Sequence, residues 1–243
     1  MSKKLVVFGA TSAISQAYIN LVANRFTKIE LVARSKETLD QVAQHVRVIS
    51  DSAVTTHVAD LSDLSSHTEL VNRVCAVDSD VVLISYGDLT DQQRCVRDRN
   101  YALDQFTLNG LSTISLSDLV AHSLAEKSGV LGVVGSVAGD RGRRSNYHYG
   151  AAKGSVAIFL SGLRSEMHPL GVRVVTIKPG FVDTPMTKEF KKGFLWAKPD
   201  KVAWDIDRAM TKGRSVVYTP WFWRYIMLII RLVPETIFKR LSF

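Results

Sequence analysis

Short apolar runs alternate with longer stretches of helical period along most of this chain. Runs of strand length occupy Leu5-Val6-Val7-Phe8 and then residues 29–33, 54–58, 81–84, 130–134, 172–177 and 215–218. They are rich in β-branched residues, and most are nearly continuous in apolarity. That is the pattern of strands covered on both faces, where a half-exposed sheet would alternate apolar with polar. Between the runs the spacing predicts helices over 12–25, 36–46, 64–75, 101–126, 149–167 and 200–212. The expected fold is a Rossmann-type doubly wound α/β domain, with a seven-stranded parallel sheet and helices on both faces.

The first run passes through Gly9-Ala10-Thr11-Ser12-Ala13-Ile14-Ser15 into a helix. Backbone N–H groups and the helix dipole at such a junction receive a pyrophosphate, so Gly9, Thr11, Ser12, Ala13 and Ile14 are candidate cofactor contacts. Only Gly9 remains of the three glycines of a dinucleotide fingerprint, with Ala13 and Ser15 in the other two places. A plain strand-to-helix turn capped by Ser12 is the competing reading. A more specific set lies further on. Tyr149 and Lys153 are one helical turn apart on one face. Ser136 follows the fifth strand, 13 residues before Tyr149, and Asn109 lies 27 residues before Ser136 inside a long helix.

In order and spacing, Asn109, Ser136, Tyr149 and Lys153 resemble the tetrad of the classical short-chain dehydrogenase/reductase family, and the likeness extends over roughly the first 187 residues. By that resemblance Asp60-Leu61, after the third strand, is an adenine-side contact. Pro179-Gly180, followed by Val182 and Thr184, corresponds to the loop at the nicotinamide carboxamide. Where the family has Asn-Asn-Ala-Gly after the fourth strand, this chain departs with Ile84-Ser85-Tyr86-Gly87, leaving Ser85 and Gly87 as the cofactor contacts there. The implied reaction is hydride transfer between a nicotinamide cofactor and a ketone. Negative charge growing on the ketone oxygen needs a positioned acid. Free tyrosine titrates near 10, so work near neutrality needs a shift of about 3 units, for which Lys153 and an oxidised nicotinamide are the expected sources. Ser136 is expected to hold the ketone oxygen, and Asn109 to order a water that reconnects Lys153 to solvent. The second strand ends Ala33-Arg34, with no acid for the ribose 2′-hydroxyl of NAD. This favours NADP over NAD, the alternative being that Arg34 is a solvated loop charge or stacks on adenine.

Composition adds limits. At 243 residues and 46% hydrophobic, the chain has the length of one domain and too many apolar residues for disorder. Cys75 and Cys95 have no close Cys or His partner, which excludes a zinc knuckle, a CxxC pair and a disulfide framework and fits a reducing compartment. The apolar run from Leu5 to Ala10 is too short for a secretory leader, so a cytoplasmic protein is expected. The formal charge of +8 is unevenly placed. Residues 188–243 carry 12 Lys+Arg against 5 Asp+Glu, and the preceding 187 carry 19 against 18. A nearly neutral body argues against a nucleic-acid partner.

The basic end reads as an amphipathic extension, residues 219–243, appended to a domain of residues 1–218. Its apolar run from Trp221 to Val233 contains Arg224 and Arg231, seven apart and so on one helical stripe. Central arginines cost about 2.5–3.5 kcal/mol each on insertion, so the segment does not span a bilayer. Pro234 is expected to break it. Peripheral contact with the inner face of the cell membrane and packing against a neighbouring subunit both suit its apolar surface. A second basic cluster, Arg141, Arg143 and Arg144, lies between Ser136 and Tyr149 and is placed either to grip an anionic substrate group or to sit solvated in a loop. Gly-Ala-Thr-Ser-Ala-Ile at 9–14, residues 135–146 and the Trp/Arg-rich tail are similar to the decaprenylphosphoryl-2-keto-ribose reductase subfamily. That similarity implies a keto-sugar on a polyprenyl phosphate as substrate. The alternatives are a general reductase of small ketones or acyl thioesters and a non-catalytic nucleotide-sensing protein. The family resemblance further implies a homodimer or homotetramer paired through the helices carrying Asn109 and Tyr149.

Overall fold

A computed structural model describes residues 3–75 and 80–241, and the sheet read from the sequence is present in it. The strands are β1 (Lys4–Phe8), β2 (Lys28–Ala33), β3 (Ala53–Val58), β4 (Val81–Ile84), β5 (Val130–Val134), β6 (Arg173–Pro179), the short β7 (Phe181–Val182) and β8 (Trp196–Ala197), and β9 (Val216–Thr219). Seven of them form one all-parallel sheet in the order β3-β2-β1-β4-β5-β6-β9, while β7 and β8 pair separately, a feature the apolar pattern was too short to show. Chain direction across the sheet reverses between β1 and β4. In a doubly wound sheet that reversal opens a crevice at the carboxyl ends of the strands.

The helices are α1 (Ala13–Val22), α2 (Lys36–Ile49), α3 (His67–Val74), α4 (Gln92–Arg97), α5 (Arg99–Phe106), α6 (Ser112–Ser123), α7 (Tyr147–Met167), α8 (Pro199–Lys212), α9 (Trp223–Leu232) and α10 (Glu235–Phe238). Strand β1 shows why both faces are covered: Leu5 and Val7 belong to a core with α1, α2 and α8, and Val6 and Phe8 to a second core with α3, α6 and α7. The helix expected over 101–126 is interrupted. A π-helical turn, Thr107–Leu111, separates α5 from α6 and carries the buried Asn109. One extra residue in a helix re-aims the side chains around it, and such turns favour functional sites.

The C-terminal segment is folded onto the domain, which corrects its reading as an appendage. Its helix does end before Pro234, and its stripes fall as expected, with Arg224 and Arg231 in solvent. Trp223 and Met227, however, are buried against Val137, just after Ser136, and form a third core cluster with it. Arg141 also leaves the role expected of it. Its Nη1 donates to the carbonyls of Ile230 and Val233, both at 2.6 Å, its Nη2 pairs with Glu235 at 2.8 Å, and its guanidinium lies 3.6 Å from the Phe238 ring centre. The last carbonyls of a helix have no partner within it, and Arg141 supplies one. Its two terminal nitrogens are therefore committed to the tail. Because Trp223 fills a closed space beside this loop, Trp223→Ala is expected to lower stability by about 3–5 kcal/mol, measured as the shift in the chemical denaturation midpoint; an unchanged midpoint would contradict this packing.

Candidate active site

The crevice at the sheet reversal is a cavity of about 360 Å³. On one side it is bounded by the β1–α1 turn. Gly9 has φ +81°, and a side chain there would come within 2.5 Å of the Ser85 carbonyl oxygen, so the turn needs glycine at this position. Ser12 caps α1 through the N–H of Ser15, and its hydroxyl lies 2.9 Å from Ser15 Oγ and 3.3 Å from Ser85 Oγ. The first helical turn has no intrahelical acceptor for the N–H groups of Ala13 and Ile14, and both residues line the cavity together with Thr11 and Ser12. Turn geometry for an anion is thus kept with serine and alanine in the two positions where glycine was expected.

The β4 loop supplies the next wall. Tyr86, in place of the family's alanine, is tethered by its hydroxyl to Ser112 at 2.5 Å. Gly87 has φ +147°, and a side chain there would meet Asn109 Oδ1 at 2.6 Å and Lys153 Nζ at 3.5 Å. Asn109 and Lys153 therefore converge on this glycine. Asn109 Oδ1 accepts from the Asp88 N–H at 3.0 Å, and its Nδ2 donates to Gln105 Oε1 at 3.3 Å and Thr90 Oγ1 at 3.4 Å. The amide so fixes the loop over Lys153. Gln105, Thr90 and Asp88 are supporting residues that sequence reasoning missed, since only the π-helical turn brings the Asn109 amide to them.

Ser136 follows β5, where its Oγ accepts from the Ala138 N–H at 3.1 Å and its side chain neighbours Tyr149 across the cavity wall. Burial pushes the Tyr149 phenol above its ordinary value, and the Ser136 hydroxyl opposes this only partly. The expectation of a lowered phenol is thus not met by the protein alone, because desolvation of the phenolate outweighs the groups around it. Lys153 is 3% exposed, and burial pulls its ammonium down to about 8. Its Nζ lies 5.9 Å from the Tyr149 ring centre. All four tetrad residues are gathered at this one cavity, Asn109 from behind its wall.

Pro179, Gly180, Val182 and Thr184 line the cavity from the loop after β6, with Phe181 and Met186 beside them. Gly180 has no room for a side chain because the Trp223 indole rests on it. Arg34 and Asp60 stand apart, exposed at the ends of β2 and β3, where Arg34 and the Ser62 hydrogen bonds hold the Asp60 carboxyl below its usual range, the Ser62 backbone N–H contributing most. Leu61 is buried, and its carbonyl accepts from His67 at 3.0 Å. Of the three arginines, only Arg143 lines the cavity; Arg144 is exposed.

Comparison with known proteins gives the same reading of the scaffold. Residues 3–193 match the family described as short chain dehydrogenase. An uncharacterized oxidoreductase of Mycobacterium tuberculosis is 33% identical over 240 residues, 98% of this chain and 96% of that protein. Among solved structures, a short chain dehydrogenase from Burkholderia cenocepacia in complex with NADP superimposes with a TM-score of 0.84 at 19% identity, covering 98% of this chain and 97% of the other. One from Sphingobium yanoikuyae in complex with NADPH gives 0.82 at 22% identity, covering 93% and 92%. With the tetrad, the parallel sheet and a family match over most of its length, this chain belongs to the short-chain dehydrogenase family.

Proposed function

We propose that the protein is an NADP(H)-dependent reductase that converts a ketone to a secondary alcohol. The observation that carries this is that Ser136, Tyr149 and a buried Lys153 line the wall of one cavity. The Gly9 turn and the open N–H groups of α1 suit a dinucleotide, and the absence of an acid at the tip of β2 beside Arg34 suits one with a 2′-phosphate. The solved structures with bound NADP and NADPH support the same cofactor. When bound, it supplies the hydride.

Ser136 donates to the substrate oxygen and orients it toward Tyr149. Tyr149 then gives its phenolic proton to that oxygen as negative charge accumulates. A phenol that burial keeps protonated is well suited to wait as the acid. Lys153, charged below about 8, stabilises the phenolate left behind. Asn109 acts one step back, fixing the loop that covers Lys153.

Within this reading the ketone is an amphiphile, as the likeness of residues 9–14, 135–146 and the tail to reductases of polyprenyl-phosphate keto-sugars suggests. Aromatic contacts support it: Phe181 at the cavity stacks on Trp196 at 5.2 Å and meets Trp223 edge-on at 5.2 Å, joining the cavity wall to the tail. The outer side of the tail exposes Trp221 (68%), Ile229 (66%) and Leu232 (72%) among Arg224, Arg231, Lys239 and Arg240. Apolar groups mixed with cations suit an anionic membrane surface. No helix among the described residues is long and apolar enough to cross a membrane, so contact would be peripheral. Pairing of two copies fits the exposed Leu103, Leu111 and Ile158 near Asn109 and along α7.

Three outcomes are expected. Tyr149→Phe retains NADPH binding and lowers ketone turnover by about 10²–10⁴-fold; near-normal turnover would remove the assignment. Since Lys153 must be charged, kcat/KM for reduction is flat below pH 8 and falls by about tenfold per unit above it. Initial rates across roughly pH 6 to 10 check this, and a rate climbing through pH 9 contradicts it. The triple variant Trp221→Ala, Ile229→Ser, Leu232→Ser keeps its melting temperature, because these side chains face solvent, yet no longer co-sediments with phosphatidylglycerol vesicles; undiminished co-sedimentation rules out membrane contact through this surface.

A further inference from the structure

Three arginines follow Ser136, and the structure separates their fates. Arg141 is consumed by the tail, and Arg144 is exposed and away from the cavity. Arg143 lines the cavity and is half-buried, with its Nε shut off from solvent and without a hydrogen-bond partner among the described residues. No carboxylate among the described residues is paired with it. Of the acids nearest in sequence or on the same cavity, Asp140 is taken by Lys178 and by the Tyr218 hydroxyl at 2.7 Å, and Asp88 accepts from the Leu89 N–H at 2.8 Å. Burial accordingly lowers the Arg143 guanidinium from its usual value.

A second unfinished group projects from the same turn. The Asn146 N–H donates to the Arg143 carbonyl at 3.0 Å, closing a tight turn that leads directly into α7. Asn146 also lines the cavity, and its Oδ1 is likewise buried and without a hydrogen-bond partner among the described residues. Buried polar groups nearly always find partners, and a charged one left alone is especially costly. A guanidinium donor and an amide acceptor, both orphaned on one wall, together describe what is missing: an anionic oxygen with a hydroxyl beside it. The pyrophosphate-type turn at residues 11–14 is a different wall of the cavity, whereas the Arg143 turn belongs to the helix that carries Tyr149.

We infer that Arg143, with Asn146 beside it, anchors an anionic group carried by the ketone substrate itself, so that this cavity selects phosphorylated or carboxylated hydroxyketones over neutral ones. The inference rests on the ketoreductase reading and narrows its substrate class. Planar N–H donors on guanidinium match the oxygens of phosphate and carboxylate, which is why arginine is effective here. Arg143 acts in specificity, not in the proton transfer.

A matched pair of probes tests it. NADP-saturated protein is titrated calorimetrically with dihydroxyacetone phosphate and with dihydroxyacetone, and NADPH oxidation is followed with both. The wild type is expected to bind the phosphate at least about 30-fold more tightly, Arg143→Met to lose that preference and Arg143→Lys to keep part of it. Restoration by lysine separates a lost charge from a misfolded variant. Equal affinity of the wild type for both probes, or a preference unchanged in Arg143→Met, overturns the inference. So does weakened NADPH binding in Arg143→Met with the phosphate preference intact, which would place the arginine at the cofactor. Anion preference in binding without any turnover would support the anchor while removing the ketoreductase reading; turnover without anion preference would do the reverse.

Discussion

Everything at this site depends on how the loop after β5 is pressed onto α7. Gly139 lies so close to the α7 backbone that a side chain there would sit 2.7 Å from the Lys153 carbonyl, a contact real structures do not tolerate. The approach fixes Ser136, three residues earlier, relative to Tyr149 and Lys153 on the helix. A loop held only on one side would still be free to lift. Here the other side is held too, by Trp223 and Met227 against Val137 and by Lys178 and Tyr218 on Asp140. The loop is clamped between α7 and the tail, which preorganises Ser136 against Tyr149 as the proposed acid catalysis requires.

The same clamp makes the electrostatics unusual. Two cationic groups, Lys153 and Arg143, lie in or against one cavity, and no carboxylate is paired with either among the described residues. In isolation such an arrangement is costly, and both groups are pulled down by burial. The cost is tolerable when the molecules that enter are themselves anionic, as a dinucleotide is. Seen this way, the raised Tyr149 and the lowered Lys153 describe a protein poised to accept negative charge. The protonated phenol and the ammonium coexist below about pH 8, the combination that the proposed reduction uses.

Much of this was legible in the sequence because the signals were local or periodic. Nearly continuous apolarity in β1, β4 and β5 reports burial on two faces, and a one-turn spacing places Tyr149 and Lys153 together whatever surrounds them. The shared stripe of Arg224 and Arg231 was legible for the same reason, whereas the burial of Trp223 and Met227 against the domain was not. What could not be read is long-range. Arg141 meets carbonyls about 90 residues away, and nothing near position 141 announces that they will be there. The π-helical turn at Asn109 was hidden because a single extra residue is absorbed within the tolerance of helical periodicity. Short α4 and the β7–β8 pair have too few residues to carry a period at all.

The fate of the tail follows from its having two faces with different obligations. Its inner face completes the wall behind Val137 and Gly180, so removing the segment would expose an apolar surface and free the loop that carries Ser136. Its outer face is exposed and is apolar and cationic at once. A truncation would therefore mix two effects, loss of support for the site and loss of whatever the outer face contacts. Point substitutions on the exposed stripe separate them, because Trp221, Ile229 and Leu232 contribute little buried area to the fold. The cations of the tail, Arg224, Arg231, Lys239 and Arg240, are displayed to solvent beside aromatic groups that lead back to the cavity through Trp223 and Phe181, while Arg141 from the loop holds the junction through the tail's carbonyls and Glu235.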